Sequence, residues 1–185
     1  MRKQLILILG GARSGKSAHA QQLAEELGGD NVVYLATAEA GDDEMRARIA
    51  VHRSERPQGW RTVESPTLAG LDLVTVCGNA RVVLLDCVTL LVSNGVTATG
   101  DEPESTTAEA AASREVDALL EAYAAGNATW IVISNEVGMG LVPPYPLGRV
   151  YRDALGRVNQ RLAAAADRVV LMVAGLPWEL KGVER

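Results

Sequence analysis

The sequence predicts an α/β fold built on a mostly parallel sheet with helices on both faces, and three observations carry that expectation. Short aliphatic runs recur along the chain, stretches rich in Ala, Leu, Glu and Arg alternate with them, and a glycine-rich turn joins the first run to the first helical stretch. Strands buried on both faces read as continuous apolar runs, which is the habit of parallel sheets. Regular alternation of strand and helix then requires crossover connections that cover both faces.

The elements follow in order. The opening MRKQLILILGG holds an apolar run, Leu5–Leu9, that is shorter than a signal-peptide core and leads directly into glycines, so it reads as the first strand. Ser17–Leu27 reads as the helix after it, Val32–Leu35 as the second strand and Asp43–His52 as a charged helix. Val82–Leu85 is the next strand. The segment Gly95–Thr107, GVTATGDEPESTT, has almost no apolar content and is expected to be a surface loop before the helix Thr107–Ala125. Trp130–Ile133 is a strand. Gly138–Gly148, GMGLVPPYPLG, keeps Met139, Leu141 and Val142 among its glycines and prolines, which predicts an ordered loop packed near a site. Leu147–Ala166 closes the series as a helix and Val169–Val173 as a strand.

Composition narrows the function classes. A chain of 185 residues, 48% apolar and 22% charged, fits one globular domain spanning residues 1–185. Its net charge of -5 gives no electrostatic footprint for nucleic acid, which needs clustered Lys and Arg to displace counterions. No run approaches the roughly 18 apolar residues of a membrane span, so a cytoplasmic protein is the default expectation. Cys77 and Cys87 form no C-x-x-C pair and lie in or beside apolar runs, as buried thiols do.

The motif with the most chemistry is Gly10-Gly11-Ala12-Arg13-Ser14-Gly15-Lys16-Ser17, which matches G-x-x-x-x-G-K-[ST] at every fixed position. It stands between a predicted strand and a predicted helix, the context such a phosphate loop requires. Glycines let backbone N–H groups curl around phosphate oxygens, and the helix start adds free donors and a positive dipole end. Lys16 is expected on the β and γ phosphates, and Ser17 on Mg²⁺. Asp86 ends Val82–Leu85, where a strand-end carboxylate faces the ligand crevice and can orient Mg²⁺ or its waters. Glu136 follows Trp130–Ile133 in the same kind of place; a base or metal-holding role and a structural salt bridge both remain open for it. These residues give a P-loop enzyme that uses a nucleoside triphosphate, and motif reasoning alone goes no further.

The chain has two histidines. His19 lies one turn into the first helix and reads as a packing or surface residue. His52 ends Asp43–His52 near Arg46, Arg48, Arg53 and Arg56, a basic cluster in an acidic protein. Guanidiniums favour the neutral form of a neighbouring imidazole and so preserve its lone pair. On spacing alone a solvated charged helix explains the segment better than a nucleophile does.

Seven blocks change that balance: GGARSGKS at Gly10–Ser17, DDEMRARIAVH at Asp42–His52, RPQGWRTVE at Arg56–Glu64, LLDCVTLLVSN at Leu84–Asn94, SNEVGMGLVP at Ser134–Pro143, YRDALGRVNQ at Tyr151–Gln160 and AGLPWELK at Ala174–Lys181. Together they resemble the bifunctional adenosylcobinamide kinase / adenosylcobinamide-phosphate guanylyltransferases of cobalamin biosynthesis, over nearly the whole chain. The resemblance implies a P-loop NTPase fold of the RecA-like kind, a homotrimer, and a corrinoid substrate, adenosylcobinamide and its phosphate. It implies two reactions, with ATP or GTP giving a γ-phosphate in the first and GTP giving GMP by way of a guanylylated histidine in the second. His52 stands at the matching R-I-x-x-H position. Nucleotide contacts carry over to Gly10–Ser17, to Ala36, Thr37 and Ala38, to Arg53, Ser54, Glu55 and Arg56, and to Glu64 and Asp86. The proline-rich Val142–Pro146 departs from the family pattern without touching a motif residue. A kinase of single activity would have no use for His52, and a GTPase switch would carry an Asn-Lys-x-Asp motif that the sequence lacks.

Overall fold

The computed structural model describes residues 2–39, 41, 43–54, 56–100 and 104–182; the side chains of Glu44, Met45, Arg48 and His52 lie outside the description. In chain order the elements are β1 (Leu5–Gly10), α1 (Lys16–Gly28), β2 (Val32–Ala36), α2 (Asp43–Ser54), β3 (Arg61–Glu64), α3 (Leu73–Cys77), β4 (Val82–Asp86), α4 (Val88–Thr97), α5 (Ser105–Ala125), β5 (Thr129–Ile133), α6 (Pro146–Ala165), β6 (Arg168–Val173) and β7 (Leu176–Lys181). The strands form one sheet in the order β3-β2-β4-β5-β1-β6-β7. Every pairing is parallel except β6 with β7. β5 separates the phosphate-loop strand β1 from the Asp86 strand β4, and this is a P-loop NTPase fold with a mostly parallel sheet, as expected.

Continuous apolar strands are what this sheet needs, because both faces are covered. Leu5, Leu7, Val33, Leu35, Val83, Leu85, Trp130 and Val132 join the core formed with α3, α4, α5 and α6. The alternate residues Ile6, Ile8, Val32, Tyr34, Val82, Leu84, Ile131 and Ile133 join a second core with Ala20 and Ala24 of α1 and with Trp60. Strand parity therefore places Asp86, two residues after Leu84, on the α1 side. Trp60 donates its indole N–H to the Gly29 carbonyl at 2.9 Å, which fixes the turn that follows α2 against the end of α1.

Four elements escaped the sequence reading. β3 is a short edge strand whose residues are mostly exposed, so no apolar run announced it. α3 has only five residues; its one legible mark is Asp72, whose side chain accepts from Thr75 N. α4 is rich in β-branched residues that favour strands, yet burial of Val88, Leu91, Val92 and Val96 holds it helical. As a result the expected loop Gly95–Thr107 is shorter than predicted, since α4 runs through Thr97 and α5 starts at Ser105. β7 is signalled only by its turn: Ala174 at φ 52° and Gly175 at φ 81° make the two left-handed positions that a tight hairpin needs.

One expectation fails on burial. Met139, Leu141 and Val142 are 81, 96 and 64% exposed, so the 138–148 loop does not pack its apolar side chains as its composition suggested. Cys77 is buried and Cys87 half-buried, both free thiols. Among the described residues no helix is long and apolar enough to cross a membrane.

Candidate functional site

The carboxyl ends of the parallel strands bring most of the sequence-predicted residues to one edge. Ala36 pairs with Glu64 of β3 and with Asp86 of β4, and Asp86 pairs in turn with Ile133 of β5. Glu136 N donates to the Gly10 carbonyl at 3.2 Å, so the chain leaving β5 meets the phosphate loop. This is the crevice where open α/β sheets bind ligands.

The phosphate loop takes its shape from its glycines. At Gly10, φ is 152°, and a Cβ there would lie 2.6 Å from both the Met172 carbonyl oxygen and Ser14 Oγ. Gly15, at φ 93°, turns the chain into α1. The first helical bond runs from His19 N to the Gly15 carbonyl at 3.0 Å, which leaves the amides of Lys16, Ser17 and Ala18 without an intrahelical acceptor. From outside the loop, Gly175 N donates to the Ser14 carbonyl at 3.0 Å and ties the β6–β7 turn to it.

Lys16 is 8% exposed, and its ammonium donates to the Gly11 carbonyl at 2.6 Å and weakly to Ser14 Oγ at 3.5 Å. Burial lowers its pKa, and the neighbouring Cys87 and Asp86 partly oppose the change. A cation satisfied only by neutral partners in a dry place gains most from an arriving anion.

Asp86 is half-buried and accepts the Tyr34 hydroxyl on Oδ2 at 2.7 Å. Among the described residues its Oδ1 has no protein hydrogen bond. Burial, followed by the Asp86 charge and hydrogen bond, raises the Tyr34 pKa, so the phenol remains a donor. The Arg56 guanidinium lies over the Tyr34 ring, 3.8 Å from its centroid. Thr37 is fully buried; its hydroxyl donates to the Cys87 carbonyl at 2.7 Å and accepts from Cys87 N at 2.9 Å. Asn94 Nδ2 donates to the Thr37 and Pro66 carbonyls, both at 3.0 Å, and so pins Ala36–Ala38 from behind.

Arg53 donates Nε and Nη2 to Glu64 Oε1, joining the end of α2 to the edge of the sheet. The contact is exposed, and Arg53 is raised chiefly by that hydrogen bond. His52 immediately precedes Arg53 in α2; its side chain and the whole of Glu55 lie outside the described residues. His19 is half-buried on α1. Glu136 accepts from Gly138 N at 3.1 Å and makes no ion pair among the described residues, which leaves the salt-bridge reading without support.

The metal expected from the sequence can be tested against the donors present. Among the described residues no three His, Cys, Asp or Glu side chains gather into a metal cage. The Ser17 hydroxyl and the open Asp86 Oδ1 offer hard oxygens only, which fits a Mg²⁺ ion that keeps its waters and takes its remaining ligands from phosphates.

Sequence reasoning missed Tyr34 and Asn94. The signal for Tyr34 was a phenol inside the aliphatic run VVYLA, since a buried hydroxyl needs a partner. Asn94 lay within a recognised block, but nothing local told that its amide spans two loops.

Comparison with known proteins agrees with this geometry. The family model described as cobinamide kinase / cobinamide phosphate guanyltransferase matches residues 6–180. The bifunctional adenosylcobalamin biosynthesis protein CobU of Escherichia coli (strain K12) is 44% identical over 183 residues, covering 96% of this chain and 99% of the relative. The bifunctional adenosylcobalamin biosynthesis protein CobP of Pseudomonas aeruginosa is 44% identical over 176 residues, covering 95% of this chain and 96% of the relative. Among solved structures, an ATPase domain aligns with a TM-score of 0.51 at 15% identity, over 92% of this chain and 69% of that one, a likeness of fold. The chain therefore belongs to the cobinamide kinase / cobinamide phosphate guanyltransferase family, bifunctional transferases of adenosylcobalamin biosynthesis.

Proposed function

We propose that this enzyme phosphorylates adenosylcobinamide with ATP or GTP and then transfers GMP from GTP, through a guanylylated His52, to adenosylcobinamide phosphate, giving adenosylcobinamide-GDP. The observation that carries the reading is a single phosphate loop, Gly10–Ser17, set at the sheet edge beside Asp86, in a chain of this family. Lys16 and the loop amides hold the triphosphate. Ser17 and Asp86 hold Mg²⁺, which neutralises phosphate charge when bound. Ala36, Thr37, Ala38, Arg53, Ser54, Glu55, Arg56 and Glu64 contact the nucleotide.

In the kinase step the acceptor hydroxyl attacks the γ-phosphorus, the bond to the β–γ bridging oxygen breaks, and the nucleoside diphosphate leaves. In the second reaction an imidazole nitrogen of His52 attacks the α-phosphorus of GTP; a P–N bond forms and pyrophosphate leaves. A phosphate oxygen of the acceptor then attacks the same phosphorus, the P–N bond breaks, and His52 returns to its free form. Covalent catalysis of this kind divides one difficult displacement into two. One domain, a homotrimer and a cytoplasmic location complete the proposal. The exposed row Leu176, Trp178 and Leu180 on the edge strand, 71, 64 and 51% exposed, supports a subunit contact.

The test is covalent labelling. Protein incubated with α-labelled GTP and then denatured should retain label that survives alkali and is lost in acid, as a phosphoramidate does. His52→Ala should keep phosphorylating adenosylcobinamide but never take up label, because phosphoryl transfer needs positioning and the GMP step needs a nucleophile. Full labelling of the variant would reject His52.

A further inference from the structure

Tyr34 touches both charged groups that flank the phosphate loop's crevice. It is 1% exposed in the middle of β2, and its hydroxyl donates to Asp86 Oδ2 at 2.7 Å. Its ring carries the Arg56 guanidinium at 3.8 Å from the centroid. Arg56 Nε and Nη1 are buried and have no hydrogen-bond partner. A buried cation with unmet donors is costly, and a carboxylate within reach is its usual remedy. The carboxylate on the same phenol, Asp86, accepts from its hydroxyl, and among the described residues no ion pair or hydrogen bond joins Asp86 to Arg56.

We propose that Tyr34 is a positioning residue that keeps Asp86 and Arg56 from neutralising each other and so reserves both for the nucleotide. The hydroxyl holds Asp86 by one lone pair of Oδ2, which leaves Oδ1 for the metal side. The ring face holds the guanidinium flat by a cation–π contact, whose strength rises when the pair is desolvated. Arg56 then waits with unmet donors for a phosphate oxygen, which local adjustment on binding brings to them. This rests on the proposed nucleotide site and adds to it a residue that touches neither nucleotide nor metal.

The experiment is equilibrium titration of a fluorescent GTP analogue, without Mg²⁺ and across a Mg²⁺ series, with thermal melts on every variant. Tyr34→Phe keeps the ring and removes the hydroxyl, and should raise the Mg²⁺ midpoint by about tenfold, the weight of one hydrogen bond to a charged acceptor. Tyr34→Leu should in addition weaken Mg²⁺-free binding by about tenfold, to the level of Arg56→Ala, and the double variant should lose no more than either single one. A Tyr34→Phe midpoint within twofold of wild type overturns the proposal, as does wild-type Mg²⁺-free affinity in a Tyr34→Leu protein that melts cooperatively. Should Tyr34→Leu fail to fold, the near-isosteric Phe variant still decides. A wild-type protein that binds no nucleotide would instead remove the nucleotide site itself, and this inference with it.

Discussion

Lys16 illustrates how much a single residue's role can be read locally. Its place in the motif gave its proposed role, and the structure adds that it is buried and bonded only to a carbonyl and a hydroxyl. Because one phosphate loop serves both proposed reactions, Lys16→Ala should depress phosphorylation and guanylyl transfer together, each by at least about 10²–10³-fold, the usual loss when one preorganised donor to a phosphoryl group is removed. Parallel assays of the two reactions check this; near-normal phosphorylation with lost guanylyl transfer would require a second nucleotide site. Residues whose partners lie close in sequence, Gly10–Ser17 above all, were legible. Tyr34, Arg56 and Glu64 owe their contacts to strand register and to the turn fixed by Trp60, and no local pattern encodes those.

Elements were legible where their composition agreed with the state they adopt, and buried α4, rich in β-branched residues, was missed for want of that agreement. The five aliphatic strands and the long helices announced themselves, whereas exposed β3, five-residue α3 and the hairpin strand β7 did not. α1 shows how an element is fitted to its sheet. At its C-terminal end a Cβ on Gly28 would lie 2.7 Å from Val32 Cγ2 and 3.0 Å from Val82 Cγ2, both stiff β-branched side chains. Gly28→Ala should therefore destabilise the protein by a net of about 1–1.5 kcal/mol, overpacking of about 2 kcal/mol outweighing up to about 1 kcal/mol of helix propensity. A fall in Tm of about 2–6 °C is expected by scanning calorimetry. Affinity for GTP should stay unchanged, because Gly28 sits about 18 Å along the helix from Lys16. An unchanged or raised Tm would mean that β2 and β4 yield more easily than their packing suggests.

For the whole molecule, the homotrimer is an expectation that comes only through the family resemblance, since an edge strand's exposure depends on where the chain ends up in the sheet. Sedimentation equilibrium should give three times the 19.6 kDa chain, and Trp178→Asp should give the single-chain mass. A wild-type protein sedimenting at one chain mass would remove the homotrimer. The bond from Gly175 N to the Ser14 carbonyl then acquires a wider meaning. It makes the hairpin that presents Leu176 and Trp178 a brace for the phosphate loop, so the proposed subunit contact and the proposed nucleotide site would act on one piece of backbone. Where one equilibrium shifts a shared element, the other feels a coupling free energy, and that coupling is reciprocal. Were the proposed homotrimer to come apart on dilution, the hairpin would keep its bond to Ser14 but lose its outer cover, and apparent affinity for GTP would become a function of protein concentration.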